Sequence, residues 1–269
     1  MTEPQHVSSR DNPLLVQLRK LARDHAAYRK LGLLWLEGEH LCSALQQRGQ
    51  RPAQAVVADS AWAMPALRAL AGWAAKIVRV PDALFDSISG LASPARLGFV
   101  LPLPAMPSIQ PRAASVVLDR VQDAGNVGSI LRTAAAFGVV QVLALKGTAA
   151  LWSPKVLRAG MGAHFGLQLM EGLAVDDLAT LAVPLLGTSL ATDRWLHTDA
   201  LPQPCAWVLG QEGQGVAPAV LARCARVLRI PQPGGEESLN VAAAAAVCLY
   251  ESMRLGGLSG GVAHTRPGR

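Results

Sequence analysis

Cysteine is scarce in this chain of 269 residues, and the four present (Cys42, Cys205, Cys224 and Cys248) are scattered with no CxxC pair. Cys42, Cys205 and Cys248 lie in apolar surroundings, where a small buried hydrophobe is the expected role. They read as reduced thiols of a cytosolic protein rather than as a disulfide framework. The six histidines show no metal-ligand spacing such as HxxxH, which argues against a zinc site, and no metal is expected. No uncharged apolar run is long enough to span a membrane; Val241 to Tyr250 is too short and reads as a buried helix. The first residues are polar and hold no signal peptide. A soluble, cytoplasmic protein is the expectation.

Apolar material is plentiful. With 51% hydrophobic residues the chain can bury a full core, which excludes general disorder, and its length suits two domains. Lys and Arg number 25 against 19 Asp and Glu, a balance that suits a polyanionic partner. The excess is local. Arg10, Arg19, Lys20, Arg23, Arg29 and Lys30 face only Asp11 and Asp24 in their stretch, accounting for four of the six net positive charges. A solvated helix face is the competing explanation of that cluster.

Residues 10 to 30 read as one basic helix with Leu14, Leu15, Leu18 and Leu21 on a stripe. Short strands at 33–36, 55–58 and 76–80 then alternate with helices, giving a small α/β domain over residues 1–100. Pro94, Pro102, Pro104, Pro107 and Pro111 place a linker at 101–113. Strands at 116–118, 139–145, 184–187, 206–209 and 227–230, with helices between them (the first over 129–137), predict a parallel, helix-covered sheet over 114–256. Residues 257–269 read as a disordered tail.

Three loops at strand ends carry the chemistry, because ligands of such sheets bind outside the carboxyl ends of strands. The first holds Gly125, Asn126 and Gly128 ahead of Arg132, which is expected in the first helical turn, where a cation opposes the dipole and hints at an anionic partner. The second is Leu209-Gly210-Gln211-Glu212-Gly213-Gln214-Gly215, whose GxxGxG order differs from the dinucleotide-binding GxGxxG. No acidic residue closes the following strand to hold a ribose, so a nicotinamide enzyme ranks only third among the readings. The third runs Ile230-Pro231-Gln232-Pro233-Gly234-Gly235-Glu236-Glu237-Ser238-Leu239-Asn240-Val241 into an apolar helix. Capping that helix needs only one of Ser238 and Asn240.

In order and spacing, Asn126-Val127-Gly128-Ser129-Ile130-Leu131-Arg132, Leu209 to Gly215, and Ile230-Pro231 through Glu237-Ser238-Leu239-Asn240-Val241 resemble the SpoU/TrmH branch of the SPOUT RNA methyltransferases. Ser153 to His164 resembles the segment between the family's first two motifs, and the likeness covers nearly the whole chain. It implies a carboxyl-terminal SPOUT domain with a deep trefoil knot, one of the rare exceptions to unknotted folds, after a small ribosomal-protein-L30e-like α/β domain that binds RNA. It also implies a homodimer, S-adenosylmethionine as methyl donor, and transfer to a ribose 2′-oxygen of RNA. The backbone around Leu209, Gly210, Gly215, Ile230 and Leu239, with Thr188 and Gln232, would hold the cofactor. Gln232 stands where members commonly carry Met; Ala242 and Gly160 replace frequent serines.

The resemblance assigns catalysis to Asn126, Arg132, Glu212, Ser238 and Asn240. Family proposals make Arg132 the base, but guanidinium stays protonated at neutral pH. A phosphate clamp that orients the ribose is the better role, with Glu212 holding Arg132 in place. Arg10, Arg19, Lys20, Arg23, Lys30, Lys155 and Arg158 are candidate RNA contacts, which position RNA without reading its sequence. The two-domain layout favours ribosomal over transfer RNA. A non-catalytic RNA-binding or ribosome assembly factor with a relic cofactor pocket is the alternative.

Overall fold

The computed structural model describes residues 3–234 and 238–256. Part of the third loop (235–237) and the tail expected to be disordered (257–269) lie outside the described residues.

The amino-terminal half runs β1 (Gln5–His6), α1 (Pro13–Arg23), α2 (Ala27–Leu31), β2 (Leu33–Glu37), α3 (Glu39–Gln47), β3 (Gln54–Ala58), α4 (Asp59–Trp62), α5 (Pro65–Ala71), β4 (Lys76–Val80), α6 (Asp82–Ile88) and β5 (Leu97–Pro102). Its sheet is ordered β1-β4-β3-β5-β2, with β5 antiparallel to both neighbours. The basic stretch is two helices rather than one. Asn12 caps α1 by accepting from the Leu14 N–H at 3.0 Å, with Pro13 at the first helical position. Asp24 then turns extended and its carboxylate accepts from the Ala26 N–H at 2.9 Å, offering the backbone an alternative to the helix. Of the leucine stripe, Leu15, Leu18 and Leu21 are buried. Strand β5 pairs Pro102 with Leu33, so this sheet reaches two residues into the segment expected as linker.

The second half runs β6 (Ser115–Asp119), α7 (Ala124–Ala136), β7 (Gln141–Leu145), α8 (Pro154–Gly160), β8 (Gln168–Leu173), β9 (Leu185–Thr188), β10 (Ala206–Gly210), α9 (Pro218–Leu221), β11 (Arg226–Leu228) and α10 (Val241–Gly256). The sheet is wholly parallel and ordered β11-β9-β10-β6-β7-β8, as the continuous apolar runs predicted. One core lies between the sheet and α7 and α10, with Ile130, Trp207, Ala245 and Cys248 fully or almost fully buried. The other face is covered through Val117, Val208, Leu178 and Val220. From β6 the chain steps out to β7 and β8, then returns to the far side of β6, which makes the β6–β10 boundary a topological switch point.

The two halves pack directly. Leu157 of α8 and Ala150 join the amino-terminal core, and Glu171 of β8 accepts from the Tyr28 hydroxyl and pairs with Arg29. A cavity of about 490 Å³ lies along this seam, lined by Tyr28, Leu101, Met106, Trp152 and Phe165 among others. Cys42, Cys205 and Cys248 are buried, and burial raises each thiol's pKa. Among the described residues, no helix is long and apolar enough to cross a membrane.

Candidate active site

Helix α7 begins at Ala124, five residues before the expected start, because Asp123 caps it by accepting from the Asn126 N–H at 2.8 Å. Arg132 is therefore its ninth residue, in the third turn, and the expected opposition to the helix dipole does not hold. Gly128 serves packing rather than a loop bend. A Cβ there would lie 2.3 Å from the Ala159 Cβ and 2.8 Å from the Gly160 nitrogen, so α7 and α8 cross in contact only with glycine at that point.

The second loop leaves β10 and closes on itself through reciprocal Gln211–Gly215 backbone bonds, with Gly215 at φ +69°. Gly210 must lack a side chain, since a Cβ would meet the Gly215 carbonyl carbon and the Val216 nitrogen at 2.2 Å. This turn aims Glu212 at the first loop. Its Oε1 accepts from Asn126 Nδ2 and the Asp123 N–H, both at 3.1 Å, and Oε2 accepts from the Gln122 N–H at 3.2 Å. Burial alone would raise the Glu212 pKa; the bonds from Asn126, Asp123 and Gln122 outweigh it and hold the carboxyl below its ordinary value. The expectation that Glu212 holds Arg132 is corrected: loop donors occupy both oxygens. Arg132 is exposed, with no hydrogen bond or ion pair among the described residues.

Asn240 joins the third loop to the first. Its Nδ2 donates to Asn126 Oδ1 at 3.0 Å, while its Oδ1 accepts from Ala242 and Ala243 N–H at 2.9 and 3.3 Å. It is thus both the cap of α10 and a member of the site. The direction of this chain is forced. An ionised Glu212 can only accept, so Asn126 turns its NH₂ to Glu212 and its oxygen to Asn240, leaving Asn240's oxygen for the helix. Ser238 is exposed two residues earlier.

The expected cofactor residues cluster at the carboxyl ends of neighbouring strands. Thr188 ends β9, inside the strand rather than after it, Leu209 and Gly210 end β10, and Ile230 follows β11. Leu209 and Ile230 are buried, whereas Leu239 is 39% exposed. The Gln232 Oε1 is buried without a partner among the described residues.

Sequence reasoning missed Asp119 and Arg120. Asp119 is buried at the end of β6; it accepts from the Ala217 N–H at 2.6 Å and from Arg120 Nε at 3.0 Å. Arg120, at φ +59°, also donates to Gln214 Oε1 at 3.3 Å, tying the first loop to the second. Adjacent opposite charges ending an apolar strand were the legible signal.

Of the RNA candidates, Arg10, Lys20, Arg23, Lys30 and Lys155 are exposed. Arg19 and Arg158 are partly buried: Arg19 donates to the Arg10 carbonyl at 2.7 Å, and Arg158 lies beside Gly90 in the seam between the halves. Helices α1 and α8 pack together, which sets Lys155 on a helix neighbouring the α1 cations.

A sequence profile of the SpoU rRNA Methylase family matches residues 113–250, the span that contains all three loops. The chain belongs to this family. Among SpoU relatives, the 23S rRNA (guanosine(2553)-2'-O)-methyltransferase RlmP of Bacillus subtilis is 32% identical over 62% of this chain and 68% of its own. An uncharacterised tRNA/rRNA methyltransferase of Synechocystis is 30% identical over 92% of this chain and 93% of that protein. The AdoMet-bound rRNA methyltransferase structure from Sinorhizobium meliloti superposes with a TM-score of 0.81 at 25% identity, covering 93% of this chain and 97% of the other.

Proposed function

We propose that this protein transfers a methyl group from S-adenosylmethionine to a ribose 2′-oxygen of RNA, ribosomal RNA in preference to transfer RNA. The observation that carries the reading is the closed chain Glu212–Asn126–Asn240 at the β6–β10 switch point, on the helix that also presents Arg132. The bound cofactor supplies an electrophilic methyl on a sulfonium. Thr188, Leu209, Gly210, Gly215, Ile230, Gln232 and Leu239 would hold it. Their fit rests on the glycine-only approach of Gly210 to Gly215 and on the Gln232 oxygen, which has no partner among the described residues.

Arg132 clamps the phosphate beside the target ribose; always protonated at neutral pH, it orients and neutralises rather than takes the proton. Asn126 and Asn240, locked by Glu212 and by the α10 cap, and Ser238 form the polar rim against which the ribose is aligned. Lys155 and the exposed cations Arg10, Lys20, Arg23 and Lys30 guide the RNA backbone, with Arg19 and Arg158 shaping the surface between them. The relatives' names, one for 23S rRNA and one for tRNA or rRNA, support RNA as substrate and keep transfer RNA as the second reading.

The same reading takes the carboxyl-terminal half as a trefoil-knotted SPOUT fold and the amino-terminal half as L30e-like. It takes the active form as a homodimer, supported by exposed Val247, Tyr250 and Leu255 on α10. Arg132→Ala should abolish methylation while leaving cofactor binding largely intact. Calorimetry and a methyl-transfer assay on total RNA decide it: lost cofactor affinity with normal turnover sinks the assignment, and absence of cofactor binding in the natural protein favours a relic pocket.

A further inference from the structure

Two prolines set the shape of the third loop's entry. Ile230 precedes Pro231 and Gln232 precedes Pro233, and a residue before proline is pushed into extended backbone. Side chains two apart on an extended chain project to one side. Burial follows that alternation: Ile230 buried, Pro231 exposed, Gln232 half-buried, Pro233 exposed. The inward side of this entry therefore carries an apolar surface from Ile230 and an amide from Gln232. The Gln232 carbonyl oxygen, on the inward side, is shut off from solvent and has no donor among the described residues. A buried acceptor without a donor is costly, and such atoms call for an explanation.

We propose that Gln232 reads the adenine of the cofactor, its Oε1 accepting a hydrogen bond from the 6-amino group while the ring lies against Ile230. The inference rests on the S-adenosylmethionine reading and deepens it by naming a specificity residue. The cofactor offers three kinds of donor. Its ammonium is charged and calls for several acceptors or a carboxylate, and its ribose hydroxyls donate and accept at once. The amino group on adenine is a neutral donor fixed in the plane of a flat ring, which suits a lone carbonyl in an apolar wall. Because the oxygen is occluded, admitting the amine requires the turn around Gln232 to shift. The cost of the lone acceptor in the free protein is then relieved only by a ligand that donates.

The test is calorimetric titration of the full chain with S-adenosylhomocysteine and with its purine analogue, in which hydrogen replaces the 6-amino group. The natural protein should prefer the amino form, and Gln232→Met should cut that preference by about five- to tenfold. Gln232→Glu, which keeps an acceptor of the same reach, should retain it. Free Gln232→Met should melt no lower than the natural protein, because it lacks the unsatisfied oxygen; this separates recognition from a structural role. An unchanged preference in Gln232→Met, with S-adenosylhomocysteine still bound, overturns the inference and leaves the cofactor reading standing. Failure of the natural protein to bind S-adenosylhomocysteine removes the cofactor reading, and the inference with it.

Discussion

Glu212 accepts from three loop donors, so its contribution to the site is acceptor capacity more than pairing with a cation. Glu212→Gln exchanges one accepting oxygen for a donor and sets N–H against N–H on one side of the carboxamide. Turnover should fall about tenfold or more with little change in cofactor affinity, as steady-state kinetics beside calorimetry would reveal. The carboxyl titrates below its ordinary range, so it remains ionised as pH falls from neutrality and sets no acid limb near pH 6. His164 behaves oppositely. It is fully buried against Trp152, its Nε2 faces the Leu151 carbonyl at 2.9 Å, and burial, only partly countered by that carbonyl, pushes its pKa down to about 4. The unfolded chain, with a histidine near its ordinary value, binds more protons between those limits. Stability is therefore fully present above about pH 6.5 and falls towards pH 4, by up to about 3 kcal/mol from this one group. Urea unfolding at pH 7.5 and pH 5 checks it, with His164→Gln flattening the difference. His164 could be placed in a family-like segment from sequence, but its burial depends on the Gly160 contact that only the fold reveals.

At the level of elements, the parallel sheet was legible because strands buried on both faces read as unbroken apolar runs. Helix starts were less so. Asn126, Gly125 and Gly128 have turn-like identities, and the cap at Asp123 with the tight α7–α8 crossing overrides them. The break in the basic segment was likewise a matter of Asp24 bonding its own turn. Helix α10 gives the sharpest test of shared duty, since one residue caps it and completes the polar chain. Asn240→Asp keeps the accepting oxygen and should change stability by no more than about 0.5 kcal/mol. It also sets a carboxylate against Asn126 Oδ1 and should remove activity. Asn240→Ala should lose activity and about 1 kcal/mol together. Thermal melts and a methyl-transfer assay on both variants separate the two duties; an active Asn240→Asp protein would count against the chain.

Across the whole molecule, the cations that composition placed in one stretch, carried largely by α1 and α2, are joined by Lys155 and Arg158 of α8, which packs against α1 from the other half. RNA affinity should drop steeply with salt, and Lys20→Ala and Lys155→Ala should each lower the slope of log affinity against log salt by about one. Filter binding across a salt series measures this; unchanged slopes would move the RNA elsewhere. The seam that fixes the two helices, with Glu171 reaching Tyr28 and Arg29, was invisible in sequence because its partners lie 143 and 142 residues apart. The polar chain has a comparable span. Asn126 belongs to the first helix of the carboxyl-terminal half, but Asn240 arrives with the last of the described elements, 114 residues later. During synthesis, when domains form from the amino terminus onward, the early loops wait for a partner made much later. A chain stalled before Asn240 would carry Arg132 and Glu212 but lack the amide that completes their setting. On the proposed reading, competence is reached only after Asn240 is made, and products stalled before it should be inert towards RNA.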